Sequence, residues 1–121
     1  MRSLYFLCAL ALAGCTAATP SPRPIGTPDG VPADCPLTVT FASYGAGIDS
    51  GALEAVEKLL AGVPVTRHRW GREGEVTLCA RPASDGEALF RRIKTVFPAR
   101  PRGPLSVSTA DGRVFVAPPA E

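Results

Sequence analysis

Apolar side chains fall on every second residue at Leu37, Val39 and Phe41, with Thr38 and Thr40 between them, which predicts a half-buried strand. A glycine-rich turn, Ser43 to Gly47, follows. The period then lengthens: Leu53, Val56, Leu59 and Leu60 recur at helical spacing, behind Asp49 or Ser50 as cap and ahead of Gly62 and Pro64 as stop. Val65 to Trp70 and Glu75 to Arg81 read as two strands joined across Gly71, Arg72, Glu73 and Gly74. In the second of these, Val76, Leu78 and Ala80 share one face and Thr77, Cys79 and Arg81 the other. Ser84 with Glu87 has the spacing of a capping box and opens a second helix carrying Leu89, Phe90, Ile93, Val96 and Phe97, stopped by Pro98. Leu105 to Thr109 and Arg113 to Ala117 close the pattern as strands joined across Ala110, Asp111 and Gly112, where Asp-Gly suits a tight turn.

The resulting order is strand, helix, strand, strand, helix, strand, with one further strand at the end. It predicts an α+β domain over residues 37–118 with a three-residue tail at 119–121. The arrangement is the split βαββαβ of a ferredoxin-like two-layer sandwich. A domain of this size has only just enough core to fold alone, so a covalent staple matters. In that topology the first strand lies antiparallel beside the third, which brings Cys35 and Cys79 to the same end. Their phases disagree, because Cys35 is in step with core-facing Val39 and Cys79 with Thr77, so the alternation must break at Pro36.

The first fifteen residues have a different character. Arg2 is followed by an apolar run from Leu4 to Leu12 and by small Ala13 and Gly14, the three parts of a secretory signal. The run is too short to cross a bilayer, which takes roughly 20 apolar residues. Leu12-Ala13-Gly14-Cys15 resembles the lipobox of bacterial lipoproteins at every position. The resemblance implies cleavage after residue 14 and acylation of Cys15, and with Thr16 rather than aspartate next it implies an outer-membrane protein facing the periplasm. Residues 15–36 then form a lipidated, proline-rich tether. Its prolines (20, 22, 24, 28, 32 and 36) favour an extended chain at roughly 3.1 Å per residue, a reach on the order of 60 Å.

This address reduces four cysteines to two. Cys8 leaves with the signal and Cys15 carries lipid, so Cys35 and Cys79 remain as a pair in an oxidising compartment, where a disulfide is expected. Neither lies in a C-x-x-C motif, and two separated cysteines with the single His68 do not make a zinc set, so no metal is expected. The formal charge of +2 is near balance and falls to +1 without Arg2, which gives no electrostatic footprint for nucleic acid.

Candidate chemistry is sparse. Gly45, Gly47 and Gly51 stand between a strand and a helix, as a phosphate loop would, but Ser50 occupies the place of the third fingerprint glycine, and no cofactor is expected. Ser43, Asp49 and His68 are the residues a hydrolytic set would use, yet no G-x-S-x-G elbow accompanies them. The segment from Arg67 to Arg72 is denser: Arg67, Arg69 and Arg72 surround Trp70, and these two residue types dominate binding hot spots. An arginine could stack on the indole there. The alternative is a tryptophan closing one end of the core while arginines solvate an edge strand. Arg100 and Arg102 form a second basic pair in the turn after Pro98.

Phe41-Ala42-Ser43-Tyr44 is similar to the first-strand ending of SPOR domains, which also run βαββαβ behind a linker; that similarity implies a peptidoglycan glycan binder. The second half lacks the matching Gly-Pro-Phe and has Ala80-Arg81-Pro82-Ala83. The sequence as a whole therefore leads to a non-catalytic, membrane-tethered binding or accessory domain, with glycan binding as the alternative and a small periplasmic hydrolase as the third reading.

Overall fold

The computed structural model describes residues 30–118. The lipobox, Cys15, most of the tether and the tail at 119–121 lie outside the described residues. The elements run β1 (Leu37–Phe41), α1 (Ser50–Leu59), β2 (Val65–Trp70), β3 (Glu75–Ala80), α2 (Gly86–Val96), β4 (Leu105–Thr109) and β5 (Val114–Ala117). All five strands join one antiparallel sheet in the order β2-β3-β1-β4-β5, so the protein is α+β with two helices and a five-stranded sheet.

Strand register decides which side is the core. Val39 stands opposite Leu78 on one side and Val107 on the other, and Phe41 lies between Val76 and Leu105. With Leu37 and Ala80 these form the apolar face, on which Ala52, Leu53 and Val56 of α1 with its C-cap Leu60, and Leu89, Phe90 and Ile93 of α2 with its C-cap Phe97, are buried. The alternation seen in the sequence is thus the packing pattern itself. At the far side Phe97 stacks on Phe115 of β5 at 6.1 Å, and the Lys94 ammonium lies 5.0 Å from the same ring.

The caps follow the sequence in one helix and not in the other. Asp49 caps α1 by accepting from the Ala52 amide at 3.0 Å, and its second oxygen accepts from the Arg102 amide at 3.0 Å. The capping box expected at Ser84 and Glu87 does not form. Asp85 caps α2 instead, in the left-handed region at φ 52° that an aspartate tolerates, and accepts from the Ala88 amide. Glu87 is drawn away to Arg113 on the β4–β5 hairpin, 2.6 Å distant.

The disulfide between Cys35 and Cys79 is formed, with Cα atoms 5.9 Å apart. Its phase conflict is resolved ahead of β1. Cys35 sits in a turn closed by its own amide on the Pro32 carbonyl, so strand alternation starts only at Leu37. The bridge fixes residues 30–36 to the sheet surface away from the helices, and Arg81 reaches Asp34 at 3.4 Å beside it.

Candidate binding edge on strand β2

The strand that carries the arginine and tryptophan cluster is an edge of the sheet. It is held by the turn Gly71–Gly74, under which the Glu75 carboxylate folds back to accept from the Glu73 amide at 2.8 Å. Gly71 has φ 69°, a backbone conformation that favours glycine, and a Cβ there would displace that carboxylate from the Glu73 amide.

Phase along β2 follows from one bond. The Arg81 amide donates to the Pro64 carbonyl at 2.9 Å in the same register that pairs Val65 with Ala80. Narrow and wide pairs alternate in an antiparallel ladder, so Thr66, His68 and Trp70 turn their backbone groups to β3. Val65, Arg67 and Arg69 consequently direct their N–H and C=O groups outwards, where no strand of the described residues meets them.

The same alternation divides the side chains. Val65, Arg67 and Arg69 stand opposite Ala80, Leu78 and Val76 and therefore share the helix side, whereas Thr66, His68 and Trp70 occupy the reverse side. The four residues expected to form one binding patch are thus separated: Arg67 and Arg69 on one face, Trp70 on the other and Arg72 in the turn. Nor does arginine stack on the indole. The cation–π contacts among the described residues are those of Lys94 with Phe90 and Phe115. Trp70 does not lid the helix-side core either; its Nε1 donates to Thr77 Oγ1 at 3.0 Å, and Thr77, wholly buried, is 3.4 Å from Thr40. His68 lies beside it with a buried Nε2 that has no hydrogen-bond partner among the described residues.

On the helix side the strand borders a cleft. Glu57 of α1, Leu60 at the C-cap of α1, Val63, Val65, Arg67 and Leu78 line an open cleft of about 340 Å³. Leu60 and Leu78 are buried and give it an apolar floor, while Arg67 and Glu57 meet at 3.2 Å, both partly exposed. Arg69 and Arg72 are exposed and have no ion-pair partner among the described residues. Glu57, Leu60 and Val63 join this site with no signal in the sequence to mark them. Only the topology, which carries α1 across the sheet to the start of β2, brings them beside Arg67.

The remaining candidates are dispersed. Ser43 Oγ accepts from the Gly45 and Gly47 amides at 2.8 and 3.0 Å, so the amides an anion would need in that loop are already bonded. His68 is on β2 and Ser43 follows β1, with β3 between them; at about 4.8 Å per strand they are beyond hydrogen-bond reach. Asp49 is engaged as cap and loop anchor, so the three side chains do not assemble as a hydrolytic set. Arg102 contributes its backbone to that anchor, and Arg100 is exposed.

Comparison of the chain with protein-family models, curated proteins and solved structures finds no match in any of the three.

Proposed function

We propose that this chain is a non-catalytic envelope lipoprotein, anchored through acylated Cys15 to the periplasmic face of the outer membrane, whose small domain binds a protein partner. The lipobox residues Leu12 to Cys15 support the anchor. The βαββαβ order, with β2-β3-β1-β4 as consecutive neighbours and β5 added beside β4, supports a ferredoxin-like sandwich as the domain. The observation that carries the binding role is the β2 edge, which no strand of the described residues covers: three outward-facing backbone positions beside an apolar-floored cleft. Edges are normally covered, shortened or blocked, and one left accessible next to a cleft is the arrangement used for adding a strand from another chain.

Fractionation combined with cross-linking mass spectrometry in the native envelope tests this reading. Wild-type chain is expected in the outer-membrane fraction and cross-linked to a protein, with Cys15→Ser released from the membrane. A wild-type chain that fractionates as freely soluble, or that cross-links to nothing, would contradict it.

A second reading, a peptidoglycan glycan binder, is favoured by the reverse face of the sheet. Thr38, Thr66, Ser106 and Ser108 present hydroxyls there, with Trp70 at one side. Co-sedimentation with purified peptidoglycan separates the two: no pelleting removes the glycan reading and leaves the protein partner.

A further inference from the structure

The two edges of the sheet differ in a way that identifies what each can accept. At the β5 edge the Thr109 amide donates to the Arg113 carbonyl, which sets the phase so that Val114 and Val116 direct their backbone groups outwards. No charge lies between Val114 and Ala117. At the β2 edge the outward positions are Val65, Arg67 and Arg69, and Arg72 follows in the turn. A second copy pairing along β2 would set arginines against arginines, which disfavours self-association at this edge. A strand of opposite charge meets no such penalty.

We infer that the β2 edge and the adjoining cleft take an extended acidic segment of a partner protein, added as a sixth strand; this rests on the protein-binding reading above. The incoming backbone bonds to the N–H and C=O groups of Val65, Arg67 and Arg69. Its side chains alternate, so those on the helix side face the cleft, where Leu60, Val63, Val65 and Leu78 receive an apolar group. Carboxylates beside it meet Arg69, which has no ion-pair partner among the described residues, and Arg67, whose pairing with Glu57 is exposed and readily exchanged. Backbone bonding supplies affinity and the cleft with its arginines supplies selectivity, the division of labour in strand addition.

Selection of a random octapeptide display library on the full chain, purified in detergent, tests this. Enriched peptides are expected to alternate apolar residues with Asp or Glu. Charge reversal by Arg69→Glu is expected to weaken binding of the enriched peptide by roughly tenfold or more, the size of a lost charge-assisted hydrogen bond. N-methylation of the peptide gives a readout that needs no protein variant: one alternate set of positions abolishes binding and the other leaves it intact. Arg67→Pro removes an outward N–H while sparing the bonds to β3, a substitution edge strands tolerate, and is expected to abolish binding. Enrichment of basic or uncharged peptides, insensitivity to the phase of N-methylation, or no enrichment over the starting library would overturn the inference. The selection reads the chemistry of the edge and the envelope cross-linking reads whether a partner exists, so the two fail separately.

Discussion

The Arg67 guanidinium of β2 and the Glu57 carboxylate of α1 meet at 3.2 Å across the cleft, and both side chains remain 43% exposed. Exposed pairs contribute about 0 to 1 kcal/mol, so this pair can open to a ligand without loss of the fold. Arg67→Ala is accordingly expected to change unfolding free energy by less than about 1 kcal/mol in a urea titration. Leu78→Ala, which removes the floor of the same cleft, is expected to cost about 2 to 5 kcal/mol. Equal effects from the two substitutions would contradict this division between a movable rim and a fixed floor.

The Cys35–Cys79 bridge spans 44 residues of sequence, and closing a loop of that length constrains the unfolded chain by about 4 kcal/mol. Cys35→Ala with Cys79→Ala, or added reductant, is therefore expected to lower the thermal midpoint by more than ten degrees or so, given roughly 4–8 °C per kcal/mol at this domain size. A midpoint unchanged by reductant would show that the bridge contributes nothing to stability.

Gly103 packs where β1 gives way to the Ser43 turn, and a Cβ at this residue would overlap the Ala42 carbonyl oxygen. The Ala42 amide donates to the Pro104 carbonyl next to it, so the backbone cannot retreat without losing a bond at the end of the β1–β4 ladder. Gly103→Ala is expected to destabilise by about 1 to 3 kcal/mol, read by denaturant unfolding. Gly45→Ala serves as a contrast, since its added Cβ would touch nothing and only its positive φ opposes the change.

Asp111 reports on the last hairpin. The Thr109 hydroxyl donates to its carboxylate, and with the Arg113 charge it holds the Asp111 pKa below the ordinary 3.8. A carboxyl depressed in the folded state stabilises above its unfolded pKa, and the contribution is lost as pH falls through the folded value. Thr109→Val is expected to move the Asp111 titration upwards, towards 3.8, in carbon-detected NMR. No movement would exclude the hydroxyl as the principal cause.

The elements were legible because each carried its own period. Val39 and Leu78 alternate with polar neighbours, Val56 and Ile93 recur at helical spacing, and glycine or proline punctuates the turns, so order and core face could be read along the chain. Features that depended on distant partners could not. Glu87 has the spacing of a capping box but is taken by Arg113, which leaves the cap to Asp85. Arg67, Arg69 and Trp70 look like one cluster in sequence, although the two-residue period of a strand, a local property, already divides them between opposite faces. The cleft was invisible for the same reason as the Asp85 cap: Glu57 and Arg67 are ten residues apart and meet only because α1 returns the chain to the sheet edge.

The β2 edge is the surface proposed to meet a protein partner. The most direct test of this is photo-cross-linking in the intact envelope, with a photoreactive residue placed at position 65 on the β2 edge, which leaves Arg67 and Arg69 in place, and, separately, at position 108 on the reverse face. A discrete protein adduct from position 65, absent from position 108, is the expected result. Adducts from position 108 alone, or from neither position in correctly localised protein, would contradict it.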